Sequence, residues 1–103
     1  MRINEGQVSF HTVRPVDRNG VRFIPGTARY RLDDFTSREA IIAWTSLTPA
    51  NEMLITIPST SNTIKNTSNA REKKVLTVET DEGTTSANTE EEFYWVKNLG
   101  FVS

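Results

Sequence analysis

Thr36-Ser37-Arg38-Glu39-Ala40-Ile41-Ile42-Ala43-Trp44-Thr45-Ser46-Leu47 is the stretch on which the reading of the fold turns. Its first four residues fit the S/T-x-x-E capping box, after which Ala40 to Trp44 could run as a short helix. The same four polar residues also suit the turn of a hairpin whose second strand is Ala40 to Thr45. β-branched and aromatic content favours the strand, and only about two helical turns fit before Pro49. The hairpin is the favoured reading, and the short helix stays open.

On either side of this stretch the hydrophobic period is two. Ala28, Tyr30 and Leu32 face one way, and Arg29, Arg31 and Asp33 the other, which describes a half-buried strand with a charged outer face. Met53, Ile55 and Ile57 alternate before Pro58, which marks a strand end or an edge. Glu72 to Thr80 is the clearest strand, with Leu76 and Val78 inward and Lys73, Lys74, Thr77 and Glu79 outward. Phe93 to Leu99 sets Tyr94 and Val96 against Phe93, Trp95 and Lys97. Gln7 to Val13 sets Val8 and Phe10 against a polar face of Ser9 and His11. Asp17-Arg18-Asn19-Gly20 supplies a tight turn, followed by the apolar Val21 to Ile24. The polar run Ser59 to Ala70 reads as a crossover whose Ile64 plugs the core. About seven short strands divided by regular turn signals predict an all-β chain, a single antiparallel β-sandwich of immunoglobulin-like or fibronectin-III-like type.

Length and composition set the frame. The 103 residues make one domain, 36% apolar and 24% charged, polar for a globular chain but not depleted enough for disorder. With no cysteine, neither disulfides nor thiolate metal sites contribute. The net charge of −1 argues against the broad footprint of a nucleic-acid binder. No apolar run spans a bilayer, and Met1-Arg2-Ile3-Asn4-Glu5-Gly6 carries no signal-type apolar segment. The expectation is a soluble protein of a virion or host cytoplasm, with no membrane partner.

Catalysis finds few candidates. A Ser–His–Asp triad would rest on His11, the single histidine, which is read as exposed on the polar face of its strand. The carboxylate pairs Asp33-Asp34 and Asp81-Glu82 and the run Glu90-Glu91-Glu92 read as solvated turns and strand ends. No catalytic residue, cofactor or metal set is expected. Trp44 reads as core filling. Phe93-Tyr94-Trp95 cannot all point inward, so at least one ring lies outside. Arginines crowd residues 1–31 and acids crowd residues 72–92. A basic surface carrying Arg29 and Arg31 could thus meet an acidic one carrying Glu90, Glu91 and Glu92, with Phe93 and Trp95 beside it, in a homo-oligomer or with other virion proteins.

Several phrases carry a resemblance. Tyr30-Arg31-Leu32-Asp33-Asp34-Phe35-Thr36-Ser37, Ala43-Trp44-Thr45, Leu54-Ile55-Thr56-Ile57-Pro58, Asn69 to Val78 and Tyr94-Trp95-Val96-Lys97-Asn98-Leu99 resemble small immunoglobulin-like β-sandwich proteins of bacteriophages and prophages. The resemblance covers roughly residues 28–99 and implies a non-catalytic, virion- or tail-associated domain acting through assembly. The alternative is a ligand-binding module that takes carbohydrate or calcium with the end loops Asp81 to Glu91 and Ser59 to Ala70.

Overall fold

A computed structural model of the chain describes residues 2–16, 19–66, 68–81 and 88–99. It holds seven strands: β1 (Arg2–Asn4), β2 (Ser9–Val13), β3 (Ala28–Asp34), β4 (Ala40–Leu47), β5 (Met53–Ile57), β6 (Arg71–Thr80) and β7 (Asn88–Lys97), with one 3-10 turn at Ser59–Ser61. β1, β7, β6, β3 and β4 form a five-stranded sheet in that order, and β2 pairs with β5 in a second. The inner faces share one core: Ile3, Leu32, Leu76, Val78, Tyr94 and Val96 from the large sheet meet Val13, Met53, Ile55 and Ile57 from the small one. The chain is all-β.

The stretch 36–47 is a hairpin, not a helix. Asp34 decides it: its carboxylate accepts the Ser37 N–H and hydroxyl, each at 3.0 Å, while Arg38 donates its N–H to the Asp34 carbonyl at 2.8 Å. Arg38 adopts the left-handed φ of 61° that this turn requires and that no helix start would use. β4 then returns along β3 with two register shifts, between Tyr30↔Thr45 and Leu32↔Ile42 and again before Asp33↔Ala40. Each shift places an extra residue on β4, as β-bulges do.

Four expectations are corrected. The large sheet is mixed, because β1 lies parallel to β7 from Arg2↔Trp95 to Asn4↔Lys97. The faces of β2 are inverted: Ser9 and His11 are buried, and Val8 and Phe10 are exposed. Lys74 points inward, sharing its side of β6 with Leu76 and Val78, and is fully buried. Trp44 is no core residue: it stands next to Thr45, the register partner of inward-facing Tyr30, and so lies on the outer face of the large sheet, 36% exposed. Other readings stand: Ile64 packs against the core from the 59–70 crossover, and Met53, Ile55 and Ile57 are buried together. The segment after Gly20 is exposed at Val21 and Ile24 and makes one bridge, Val16↔Arg22. Asp17, Arg18 and most of the loop expected at 81–91 lie outside the described residues.

Candidate functional site

The register of the large sheet lays out one continuous outer face. β3 sets Arg29 opposite Glu79 and Arg31 opposite Thr77 of β6, and β6 sets Lys73 opposite Trp95, Val75 opposite Phe93 and Thr77 opposite Glu91 of β7. Arg29, Arg31, Glu91, Phe93 and Trp95 therefore share this face. Glu90 and Glu92 lie opposite Val78 and Leu76, on the inner side of β7. The acidic run is split by the pleat, and a single surface carrying all three acids does not form.

Cations and rings alternate across the outer face. Arg71 lies 4.4 Å from the Trp95 ring centre, and Lys73 lies 4.4 Å from Phe93 and 4.7 Å from Phe35. Arg29 and Arg31 lie 4.1 and 5.5 Å from Trp44. Phe35 and Phe93 meet edge to face with centres 5.9 Å apart. Each cation–ring contact is worth about 0.5–1 kcal/mol at a site open to water. Arg29 also donates to Glu79 at 2.7 Å, and Arg31 to Asp33 at 2.8 Å. The two arginines expected to seek acids on another molecule thus have acids beside them on their own sheet. Phe35 and Phe93 remain 47% and 41% exposed, so the face presents large apolar rings to its surroundings. An open cavity of about 360 Å³ lies among them, lined by Arg31, Phe35, Arg38, Thr77, Glu91 and Phe93.

Beneath this face, sequence reading missed a buried polar chain. The Tyr94 hydroxyl donates to Asn62 Oδ1 at 2.7 Å, and Asn62 Nδ2 donates to Ser9 Oγ at 3.0 Å. Ser9 Oγ and His11 Nε2 are 2.9 Å apart, and His11 Nδ1 and Glu92 Oε1 3.1 Å. With Nδ1–H donating to the carboxylate, Nε2 accepts from Ser9, and every group runs donor to acceptor in one direction. Burial, with Glu92 nearby, pushes the Tyr94 phenol above its ordinary value.

Ser9, His11 and Glu92 stand in the order of a serine-hydrolase triad. Their surroundings do not suit attack, since Ser9 is 3% exposed and its oxygen is already engaged by Asn62 and His11. What the chain of bonds does is join β2, β7 and the 59–70 crossover through the core. The signal was present in the sequence, for His11 shares its parity on β2 with the buried Val13.

No protein-family model matches the chain, and no curated protein or solved structure is significantly similar to it.

The second buried group is ionic. Lys74 Nζ lies 2.9 Å from Asp34 Oδ1 and 3.2 Å from Glu72 Oε1. Glu72 also accepts the N–H groups of Lys65 and Asn66 at 2.6 and 2.9 Å and the Asn69 amide at 3.0 Å. Burial would raise both carboxyls, but these hydrogen bonds outweigh it and hold each below its ordinary value. The triad pins both the 34–39 turn and the 59–70 crossover to β6. Among the described residues no group of three acidic or histidine side chains is placed to hold a metal ion. Asp81, at the start of one end loop, instead accepts the Gly26 N–H at 2.6 Å. Among those residues no helix is long and apolar enough to cross a membrane.

Proposed function

We propose that this chain is a non-catalytic structural domain that works through protein–protein assembly, using the outer face of its five-stranded sheet. The observation that carries this reading is the outer-face band of exposed Trp44, Phe35 and Phe93 with the half-buried Trp95, held in place by Arg29, Arg31, Arg71 and Lys73. Exposed aromatic surface rimmed by arginine is the composition that protein interfaces favour.

Strand order supports an immunoglobulin-like identity. In chain order, β3, β6 and β7 take the places of strands C, F and G, β4 that of C′, and β2 with β5 those of B and E. The buried strand-C tryptophan of antibody domains has no counterpart on β3, where Leu32 is fully buried, and the two tryptophans of this chain, Trp44 and Trp95, lie on the C′-like and G-like strands instead. Assignment to a virion or phage tail rests on the resemblance of the phrases around Tyr30, Ala43, Leu54, Asn69 and Tyr94.

Light scattering behind size exclusion, over a concentration series, tests the assembly reading. The expected result is a mass above the 11.6 kDa of one chain that returns to it in the double variant Phe93→Ser, Trp95→Ser. A single-chain mass at every concentration overturns self-assembly. The cavity beside Phe35 and Arg38 favours the second reading, a small-ligand site on the same face. Carbohydrate binding there would change tryptophan fluorescence without changing mass.

A further inference from the structure

β1 covers only part of the strand it pairs with. β7 runs from Asn88 to Lys97 and is bonded to β6 along its whole length, but on its other side β1 reaches only Trp95, Val96 and Lys97. From Asn88 to Tyr94 that edge has no strand partner among the described residues. Each such edge carries a row of backbone donors and acceptors open to another chain.

Three further observations lie along this stretch. A shallow cleft between the two sheets opens beside it, lined by Val13, Pro15, Val78, Thr80, Asn88 and Glu90. Thr80 Oγ1, in that cleft, is buried and has no hydrogen-bond partner among the described residues. A buried hydroxyl left in this state costs about 1–3 kcal/mol and demands an explanation. Finally, the edge is acidic, with Glu91 on its outer side and Glu90 on its inner side, both exposed.

We infer that the Asn88–Tyr94 edge of β7 is a strand-addition site, and that its occupant is an extended basic segment of a neighbouring protein. The segment continues the line of β1, pairs its backbone with β7 and roofs the Thr80 cleft. Alternate side chains of an added strand point to opposite faces, so lysine or arginine at adjacent positions meets Glu91 on one side and Glu90 on the other. This inference rests on the assembly reading and names its partner, but it uses the backbone edge of β7 where the aromatic reading uses the rings beside it.

Amide hydrogen exchange of the full chain, with and without a synthetic seven-residue peptide of valine and threonine carrying two adjacent lysines at its centre, tests it. The expected result is slowed exchange confined to amides of residues 88–94, with affinity falling at least tenfold in Glu90→Lys, Glu91→Lys. The same peptide with N-methylated backbone gives no protection. Absence of protection at millimolar peptide overturns the inference and makes the carboxylates guards against pairing. Equal protection by an acidic peptide, or protection along β4, also overturns it. Because the peptide test on the parent chain leaves every aromatic ring of the outer face in place, these failures leave the light-scattering result unaffected.

Discussion

Lys74 Nζ sits 2.9 Å from Asp34 Oδ1 in the interior, with Lys74 fully buried and the Asp34 side chain 5% exposed. A buried cation between two carboxylates is stable only as a complete set, since each member offsets the desolvation of the others. Lys74→Met therefore removes the cation between two buried carboxylates, leaving them only their hydrogen bonds, and costs about 3–5 kcal/mol. Urea denaturation of the variant beside the parent measures the loss. A change below about 1 kcal/mol would show that the pair behaves as a surface ion pair.

Asp34 and Glu72 also set a direction for pH. Both carboxyls are held below their ordinary values in the folded chain, while in the unfolded chain they titrate near about 3.9 and 4.3. As pH falls towards 4, the unfolded chain takes up protons first, so stability falls with it. Above about pH 5.5 the contribution of these groups is complete and flat. Denaturation midpoints measured from pH 7 to pH 3 are expected to drop in the acid range, less steeply in Glu72→Gln. A midpoint that rises on acidification contradicts the assignment.

Removing one link of the Tyr94–Asn62–Ser9–His11–Glu92 chain strands its neighbour. Tyr94→Phe keeps the ring but leaves Asn62 Oδ1 without its donor, which costs about 1–3 kcal/mol. Thermal denaturation checks the size of the loss.

Ser9, though placed like a hydrolase serine, is closed to reagents. Incubation with a fluorophosphonate followed by mass measurement is expected to leave the folded chain unmodified. Stoichiometric labelling at Ser9 would reverse the non-catalytic reading.

Trp44 offers a test of burial against exposure. Held at the surface between Arg29 and Arg31, its replacement by alanine costs about 1 kcal/mol, against about 3–5 for a tryptophan inside a core. Acrylamide quenching of tryptophan fluorescence falls in the same variant, because its most accessible ring is gone.

Periodicity made the strands legible, but its sign was harder to read than its period. On β3, Ala28, Tyr30 and Leu32 occupy one parity and Arg29, Arg31 and Asp33 the other, and the faces follow. On β2 the apolar Val8 and Phe10 oppose Ser9 and His11, and the polar pair went inside because Asn62, Tyr94 and Glu92 arrive from elsewhere in the chain to satisfy it. Lys74 likewise shares the parity of Leu76 and Val78, and only Asp34, from β3, and Glu72 make its burial tolerable. For Trp44 the outward side is set by the pairing of Thr45 with Tyr30, which single-strand alternation in an apolar run does not reveal. The outer-face positions of Arg29, Arg31, Phe93 and Trp95 follow from parity alone. Their companions Arg71, Lys73 and Phe35 emerge only when strands are set side by side.

The pairing of β1 with β7 has a consequence in time. Arg2 and Trp95 are neighbours in the sheet but belong to strands far apart along the chain, and contacts between such distant residues carry the loop-closure cost that slows β topologies. During synthesis the first strand must wait, unpaired, until the seventh has left the ribosome. In that interval β3 with β4 and β2 with β5 can form, while the β7 flank of the sheet has yet to be built. β1 can close on the sheet only once β7 is available. Its three residues decide how much of β7 stays open to a passing strand once synthesis is done.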